Sequence, residues 1–298
     1  SNEGVNVGGI FMMGLVGNSL LFRKVAIIGV GLIGGSLGKA LKKQGLAKEV
    51  VGSSRRKEAL AHAVKDMAID HGTHDVKKAV INADLVVLAT PVSVGPAMLS
   101  AIAPNLKKSC IITDVGSTKV SIVAAAHQAL QNPSMFVGSH PLAGSERKGV
   151  EFSSETLFQD STCVMTPLDE TNRSAVDRVK KMWTAVGSQV KILTPEEHDK
   201  ALAYVSHLPH VLAYALMGVI NPEILQYGAG GLRDTTRIAS STPQVWADIC
   251  SANAKNIIGA IDDLAGVLST IRKTISETDE KTLLECFRVG KERRDQLK

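Results

Sequence analysis

A histidine that could accept a proton lies in the stretch VGSHPLAGSE, residues 137–146. His140 follows an apolar run typical of a strand, whereas Pro141 cannot continue a β-ladder and Gly144 permits a turn. We therefore expect the imidazole at the mouth of a strand and not in the core. An ordinary pKa near ~6.5 lets such a ring take a proton near neutral pH, as the oxidation of a hydroxyl requires. A hydrogen-bonded structural histidine is the alternative, and it is the commoner role of histidines in general.

A glycine-rich turn, GVGLIG at residues 29–34, is the second motif with chemical meaning. It directly follows a β-branched run and opens a helical pattern, which is the context of a dinucleotide-binding βαβ unit. Gly29 allows the tight turn, Gly31 lets a pyrophosphate approach the backbone, and Gly34 lets helix and strand pack closely. Free amides at the helix N-terminus would hold the phosphates. The predicted contacts in this turn are Gly29, Gly31, Leu32, Ile33 and Gly34.

The end of the next predicted strand bears on which nucleotide binds. An NAD site usually carries an acidic residue ~20 residues beyond the glycines, bonded to the ribose 2′-hydroxyl. Here the strand ends in GSSRRKEA, and the first acidic residue is Glu58. Ser53 and Ser54 offer hydroxyls, and Arg55 and Arg56 offer guanidinium groups suited to a 2′-phosphate. We therefore predict NADP; NAD binding beside two solvated arginines is the alternative.

Two further predicted strands end in LATP (88–91) and DVGST (114–118). Ligands of open α/β sheets bind at the carboxyl ends of the strands. These ends should therefore face the same cleft as His140. The residues expected on its nicotinamide side are Thr90, Pro91, Gly116 and Ser117.

A possible anion-binding pair lies in DTTR, where Asp234 and Arg237 are three residues apart. On a helix this spacing places both side chains on one face. Asp234 can then steady the guanidinium while Arg237 grips a carboxylate with two hydrogen bonds. A surface ion pair worth a few tenths of a kcal/mol is the alternative.

These side chains need a scaffold of alternating strands and helices. From Arg23 to about Thr194, short β-branched runs alternate with helical patterns, and the runs lack the polar alternation of half-exposed strands. The runs are KVAIIG (24–29), EVVGS (49–53), DLVVLATP (84–91), SCIITDVGS (109–117), MFVGSH (135–140), STCVMTP (161–167) and SQVKILT (188–194). They predict an α/β domain with a doubly wound, Rossmann-type, mostly parallel sheet.

The pattern becomes helical at TPEE. Thr194 as N-cap, Pro195 at the first helical position and Glu197 closing a capping box predict a helix start. No strand signal follows, and TPQVWADI (242–249) opens a helix that could continue as far as residue 275. The second half is therefore expected to be an all-α domain.

We expect three segments along the chain. They are a flexible N-terminal extension (1–21), a dinucleotide-binding Rossmann domain (22–194) and a helical domain for substrate binding and dimerisation (195–298). The long apolar-striped helices exceed what one small domain can cover, which favours a homodimer through the helical domain.

The composition narrows the class of protein. Hydrophobic residues make up 44% and charged residues 21%, as in ordinary soluble globular proteins. The net charge of +5 is spread over helix faces and aromatic residues are only 4%, which favours small anionic ligands over nucleic acid. No stretch predicts a transmembrane segment, no spacing of His or Cys predicts a metal, and four scattered cysteines are typical of a reduced, cytoplasmic protein.

The sequence resembles the prephenate/arogenate dehydrogenase family. The segments GVGLIGGSLGKAL, ATPV, DVGSTK, GSHPLAGSE, SHLPHVLAYAL and GGLRDTTRIASSTPQVW occur in the order and spacing of that family. The match runs from Phe22 to Ala252, and the HPLAGSE and DTTRIA segments are more distinctive than the glycines.

The resemblance implies an oxidative decarboxylation of a cyclohexadienyl acid, prephenate or arogenate, on the route to tyrosine. A hydride leaves the ring carbon that bears the hydroxyl, the hydroxyl proton passes to a base, and carbon dioxide departs as the ring becomes aromatic. The family pattern places the catalytic histidine at His140, with Ser117 orienting the hydroxyl or the imidazole. No residue chooses between the two substrates. Since the sequence carries neither a ferredoxin-like regulatory domain nor a chorismate mutase domain, we expect any feedback by tyrosine to act at the active site.

The resemblance also implies a site for a dicarboxylate substrate. His210 matches a substrate contact on the helix SHLPHVLAYAL, and Glu146 matches an acid near the mouth of the cleft. For His207 on the same helix, a structural and a functional role both stay open. Trp246 could form a wall of the site, with a buried core position as the alternative. The substrate-binding residues that we expect are Ser145, Glu146, His210, Asp234, Arg237 and Trp246.

Two other functions fit part of the pattern. A dehydrogenase of the β-hydroxyacid or 6-phosphogluconate type would use Lys255 with Asn256, but this leaves HPLAGSE unexplained. A non-catalytic NADP-sensing protein would need the glycines and arginines but not His140. Replacing His140 therefore discriminates between these functions.

Overall fold

The structure, a computed structural model, describes residues 19–144 and 147–297. The predicted N-terminal extension lies outside the described residues up to residue 18, and the first strand begins at Phe22. Ser145 and Glu146, both expected in the substrate site, also lie outside the described residues.

Within the described residues, eight strands form one sheet in the order β3-β2-β1-β4-β5-β6-β7-β8. All neighbouring strands are parallel except β6 and β7, which are antiparallel. The strands are β1 (Phe22–Ile28), β2 (Ala47–Ser53), β3 (His71–Thr73), β4 (Leu85–Leu88), β5 (Ile111–Asp114), β6 (Phe136–Pro141), β7 (Thr162–Thr166) and β8 (Gln189–Ile192). This confirms the predicted mostly parallel sheet.

Strand β3 was not predicted from the sequence. This strand has three residues, HGT, and it pairs only with β2 at the edge of the sheet. His71 and Gly72 are exposed, so the strand has no apolar run that periodicity could detect.

Helices cover both faces of the sheet. Along β1, Val25 and Ile27 face one apolar core, which includes side chains of α1, α2 and α6, and Ala26 and Ile28 face the other. The helices of this half are α1 (Leu32–Lys43), α2 (Lys57–Lys65), α3 (Val76–Val80), α4 (Gly95–Ile102), α5 (Val120–Ala129) and α6 (Arg173–Ala185). This two-core arrangement is the doubly wound fold.

The second half of the chain is helical, as predicted. Its helices are α7 (Pro195–Leu202), α8 (Leu208–Val219), α9 (Gly230–Thr236), α10 (Pro243–Ala252), α11 (Ala254–Ser276) and α12 (Glu280–Asp295). Thr194 and Glu197 form the predicted capping box at the start of α7. A π-helical turn, Ala203–His207, joins α7 to α8.

The predicted continuation of the helix at TPQVWADI beyond residue 252 is wrong. The chain leaves helical geometry at Asn253, which separates α10 from α11. The buried Asn253 side chain donates one hydrogen bond to the Asp199 carbonyl at 2.7 Å and another to His207 Nδ1 at 3.1 Å. These tertiary hydrogen bonds fix a break where the sequence has neither glycine nor proline.

Candidate active site

The glycine turn after β1 has the shape that a pyrophosphate requires. Gly29 has φ +101°, and a Cβ there would lie 2.3 Å from the Ala89 carbonyl oxygen. A Cβ on Gly34 would lie 2.2 Å from the Gly29 oxygen, so α1 packs too closely for a larger residue. A Cβ on Gly31, by contrast, would meet nothing within 4 Å. Gly31 has no side chain to cap α1, so the first amides of this helix remain available to an anion.

The predicted nucleotide-selecting residues follow β2 next to this turn. Ser53 pairs with Ile28 in the sheet, and its carbonyl accepts a hydrogen bond from the Gly29 amide at 2.8 Å. The Ser53 hydroxyl is buried and has no hydrogen-bond partner among the residues that the structure describes, which suits a polar ligand group. Arg55 and Arg56 are exposed beyond the strand end. The chain thus offers cations where the adenosine ribose of a dinucleotide would lie.

A cavity of about 800 Å³ lies between the carboxyl ends of the strands and the helical half. Both halves of the chain line it, and Ser93 bridges them by donating to Asp248 at 2.6 Å. Its sheet side includes the expected residues Gly31, Leu32, Ile33, Thr90, Pro91, Gly116, Ser117 and His140. The structure therefore brings the glycine turn and the candidate base to one site.

His140 lies at the end of β6 and lines the cavity. Its Nδ1 is 2.9 Å from His198 Nε2, and His198 Nδ1 is 2.8 Å from Asp199 Oδ1. Because a carboxylate can only accept, His198 donates from Nδ1 and its Nε2 is left to accept from His140. His140 thus carries its proton on Nδ1, and Nε2 remains as a lone pair available to a ligand.

The Asp199 carboxylate is held firmly behind the two rings. Oδ1 also accepts from the Lys119 amide at 2.7 Å, and Oδ2 accepts from the Val120 amide at 2.9 Å. These amides belong to the start of α5, where a negative charge is favourable. Neither His198 nor Asp199 was predicted from the sequence.

A buried ion pair lies beneath His140. The Lys119 ammonium, fully buried, bonds the Asp114 carboxylate and the Ser139 carbonyl. Burial lowers the pKa of His140 well below its ordinary value, and neighbouring His198, Lys119 and His207 lower it further. The imidazole is therefore neutral at pH 7, as a proton acceptor must be.

The opposite wall of the cavity begins at the π-helical turn. Pro209 has no N–H to donate to the preceding turn. The helix widens before this proline, where the Leu208 amide donates to the Ala203 carbonyl five residues earlier in the chain. His210 lines the cavity, and its Nδ1 donates to the Ser206 carbonyl at 2.9 Å. Trp246 also lines the cavity. The expected positions of His210 and Trp246 at the site are thus both observed.

His207 lies outside the cavity lining and is fully buried. Its Nδ1 accepts from Asn253, and burial lowers its pKa to about 4 although Asp199 and the Ser117 backbone raise it. Of the two roles left open for His207, this environment favours the structural one.

Cationic groups of the described residues converge on the same cavity. Arg237 lines it from the helical side, and Arg147 and Lys148 line it from the segment that follows β6. Arg147 and Lys148 were not predicted from the sequence, although both directly follow GSHPLAGSE. Three cations suit a substrate with two carboxylates.

Two sequence-based expectations do not fit this geometry. Asp234 is exposed and does not line the cavity; α9 ends at Thr236, and Arg237 begins a 3-10 turn, so the two residues do not share a regular helix. Lys255, the acid–base residue of the alternative dehydrogenase type, is exposed and also outside the cavity lining. Among the described residues, no group of three His, Cys, Asp or Glu is arranged to hold a metal ion.

Two family models match the chain. Residues 37–192 match the model for the nucleotide-binding domain of prephenate dehydrogenase, and residues 194–289 match the model for its dimerization domain. The chain belongs to the prephenate/arogenate dehydrogenase family. This confirms the resemblance and identifies the chain as an oxidoreductase with a nicotinamide cofactor.

Similar proteins agree with this family. A cyclohexadienyl dehydrogenase from Zymomonas mobilis is 36% identical over 286 residues, which cover 93% of this chain and 97% of the relative. A prephenate dehydrogenase from Bacillus subtilis is 35% identical over 280 residues, covering 92% of this chain and 76% of the relative. The structure of Aquifex aeolicus prephenate dehydrogenase with hydroxyphenyl propionate and NAD+ superposes with a TM-score of 0.88 at 33% identity, covering 94% of this chain and 100% of that one.

Proposed function

We propose that the protein carries out the NAD(P)-dependent oxidative decarboxylation of prephenate, arogenate or both, with His140 as the proton acceptor. The observation that carries this proposal is the position of His140 Nε2, a lone pair in a cavity lined by the glycine turn on one side and Arg237 on the other. The Aquifex relative, bound to a hydroxyphenyl acid and NAD+, supports the assignment of substrate class and cofactor.

The reaction divides between cofactor, substrate and protein. When bound, the nicotinamide supplies the acceptor for the hydride that leaves the hydroxyl-bearing ring carbon. His140 Nε2 takes the hydroxyl proton as the carbonyl forms, and Ser117, which lines the same part of the cavity, orients the hydroxyl. The bond to the ring carboxylate then breaks and carbon dioxide leaves. Its electron pair completes the aromatic ring, the carbonyl oxygen becomes a phenolate, and the phenolate takes the proton back from His140 Nε2.

The cations of the cavity position the substrate. Arg237 on the helical side can bind one carboxylate with two hydrogen bonds, and Lys148 and Arg147 lie on the opposite rim for the other. His210 and Trp246 form the wall between them. This arrangement orients the ring with its hydroxyl toward His140.

We propose NADP as the preferred nucleotide. The first acidic residue after β2 is Glu58, beyond Arg55 and Arg56, so a 2′-phosphate meets two guanidinium groups before it meets a carboxylate. The turn residues Gly29, Gly31 and Gly34 would hold the pyrophosphate of either nucleotide.

We propose that the protein is a cytoplasmic homodimer joined through its helical half. The helix run Pro195–Val219 is, among the described residues, the one long and apolar enough by composition to cross a membrane, and only 22% of its apolar window is buried. It also carries Ser206 and His210 of the cavity wall, which argues for cover by a second protein copy and not by lipid. Four free cysteines fit a reducing compartment.

A four-way assay tests the proposed function. Prephenate and arogenate are each supplied with NAD and with NADP, and nicotinamide reduction is followed together with release of carbon dioxide. We expect turnover of at least one acid, with NADP giving the higher kcat/KM. Absence of turnover in all four combinations would refute the function, and a clear preference for NAD would refute the assignment of nucleotide.

A further inference from the structure

Two buried residues behind His140 take no direct part in the proposed reaction. His198 is fully buried and Asp199 is 1% exposed, and neither lines the cavity. They nevertheless extend an unbroken chain of hydrogen bonds from His140 to the start of α5. Because this buried hydrogen-bond chain has every donor paired with an acceptor and ends at the proposed base, it offers a path along which a proton can move.

We propose that His198 and Asp199 form a proton relay behind His140, in which the positive charge of the proton taken from the substrate rests on the His198–Asp199 pair until the phenolate oxygen of the product takes a proton back. The inference rests on the proposed function, because it requires His140 to take the substrate proton. Since His198 and Asp199 act through His140 without touching the cavity, both are positioning residues.

The relay moves one proton through two imidazole rings. The O–H bond of the substrate breaks, and an N–H bond forms at His140 Nε2. The Nδ1–H bond of His140 then breaks, and its proton forms an N–H bond at His198 Nε2, 2.9 Å away. His140 is neutral again in its other tautomer, and His198 carries the positive charge. When carbon dioxide has left, the phenolate oxygen takes the proton from His140 Nε2, and the His198 Nε2 proton returns to His140 Nδ1. The only electron transfer remains the hydride transfer of the reaction itself.

The charges around the two rings favour this final position. The Lys119 ammonium bonds the carbonyl of Ser139, directly before His140, and thus disfavours a cation there. His198 instead contacts the Asp199 carboxylate at 2.8 Å. An imidazolium at His198 is therefore paired with a negative charge, whereas one at His140 lies beside a positive charge. His207 of the π-helical turn acts on both rings, and Asp114 of β5 bonds the Lys119 ammonium and the Ser139 amide next to His140.

The tautomers can be measured without substrate or cofactor. In protein labelled with 15N-histidine at pH 8, nitrogen–proton correlations identify which ring nitrogen carries the proton. We expect both His140 and His198 to be protonated on Nδ1 and bare on Nε2, with resonances assigned by His140→Asn and His198→Gln. A proton on Nε2 of either ring in the resting protein would overturn the relay.

The variant His198→Gln separates relay from positioning. The glutamine carbonyl can accept from His140 Nδ1–H and keep its tautomer, but it cannot take up a proton. We expect kcat to fall about 10- to 100-fold, as for partial loss of general base catalysis, with NADP affinity within about twofold. We also expect the acidic limb of the pH profile of kcat to move to lower pH, because the substrate proton then stays on His140 beside Lys119. His62→Gln, on an exposed histidine of α2, is the matched control.

The variant Asp199→Asn tests in which direction the hydrogen bonds run between His140 and Asp199. Both carboxylate oxygens accept a backbone amide at the start of α5, so the asparagine nitrogen faces one of these N–H groups in either orientation. In the place of Oδ1 the nitrogen donates to His198 and reverses both tautomers. His140 would then present a protonated Nε2 to the cavity, and kcat should fall further than in His198→Gln. Because Asp199 also caps α5, thermal unfolding and NADP binding are measured alongside. If this variant does not fold, the tautomer measurement and His198→Gln still decide.

The outcomes distinguish the relay from the proposed function. Turnover in the unaltered protein with a His198→Gln enzyme of equal kcat and equal pH profile would refute the relay alone. A lower kcat with an unmoved pH profile would reduce His198 to a structural role and refute the relay as well. Absence of turnover in the unaltered protein would refute the function, while the tautomer measurement would still test the hydrogen-bond chain.

Discussion

His210 stacks on Trp246 with ring centroids 3.5 Å apart and ring planes inclined by 18°. The hydrogen bond from His210 Nδ1 to the Ser206 carbonyl fixes the rotation of the same ring. Burial and the nearby Arg237 charge lower the pKa of His210, although the Ser206 carbonyl raises it. A neutral ring in this setting offers Nε2 to a ligand as an acceptor, already oriented before the ligand arrives.

Removing the stack should weaken substrate binding more than chemistry. In Trp246→Ala the His210 ring loses a contact worth about 0.5–1.5 kcal/mol, so we expect KM to rise roughly 3- to 10-fold with a smaller change in kcat. Trp246→Phe keeps an aromatic face and should retain most of the affinity. Steady-state kinetics with saturating nucleotide measure both variants. An unchanged KM in Trp246→Ala would mean that the stack does not position the substrate contact.

His140→Asn should abolish turnover while NADP binding stays intact. Asparagine cannot take the substrate proton, and general base catalysis contributes about 10²–10⁴-fold to such reactions. NADP affinity is followed by quenching of intrinsic fluorescence, and turnover by nicotinamide reduction. An active His140→Asn enzyme would exclude the proposed mechanism. Loss of both activity and nucleotide binding would point to misfolding, which thermal unfolding would reveal.

Neutralising the arginines after β2 should change the choice of nucleotide. In the double variant Arg55→Gln and Arg56→Gln, we expect the Kd for NADP to rise about tenfold or more while the Kd for NAD changes little, since charged hydrogen bonds are each worth roughly 1.5–3 kcal/mol. Lys57→Gln, the next exposed cation along the chain, serves as the control. Equal losses for the two nucleotides would show that these side chains do not read the 2′-phosphate.

Local patterns predicted much of this molecule. The capping box at Thr194 and the glycine turn were visible because their partners lie within a few residues of one another. The apolar run placed His140 near a strand end, and parallel strand ends share one edge of a sheet. Features of this kind depend on residues that are close together in the sequence, so the sequence pattern is enough to predict them. The expectation that Pro141 would end the ladder was wrong, because Pro141 is the last residue of β6 and pairs with Cys163 of β7.

Long-range contacts were not predictable in the same way. His198 reaches His140 across 58 residues, and it lies within an ordinary capped helix whose pattern gives no sign of that contact. The break at Asn253 depends on hydrogen bonds to Asp199 and His207, not on a local breaker. The adjacent His198–Asp199 pair, HD in the sequence, was the only available signal.

Buried neutral histidines should make stability fall in mild acid. His207 has a pKa of about 4 in the folded protein and an ordinary value near 6.5 when unfolded. Between pH 4 and pH 6.5 the unfolded chain therefore binds more protons than the folded one. The contribution of the neutral His207 ring to the free energy of unfolding is complete above pH 6.5 and is lost as the pH falls toward 4. We expect this one group to lower the free energy of unfolding by roughly 3 kcal/mol at pH 4.

Urea unfolding across this pH range measures the effect. Asp70 and Asp84 have lowered pKa values, so their contributions to the free energy of unfolding are lost only below about pH 4. The change between pH 6.5 and pH 4 therefore reports on the histidines. His207→Gln should flatten the curve between pH 6.5 and 4, whereas His62→Gln, on the surface, should leave it unchanged. A curve that keeps its slope in His207→Gln would mean that this ring is not held neutral by burial.

Charges placed on the apolar helices should dissociate the dimer. Val219 at the end of α8 is 80% exposed and Ile258 on α11 is 57% exposed in a single copy of the chain. Val219→Glu and Ile258→Glu would each bury an unpaired carboxylate if a second copy covers these helices, so we expect a shift from dimer to monomer in sedimentation velocity. Met67→Glu, on an equally exposed apolar residue of the sheet half, should leave the dimer intact. A dimer unaffected by either helical variant would place the interface elsewhere, and a monomeric parent protein would leave the apolar helices without the partner that we propose.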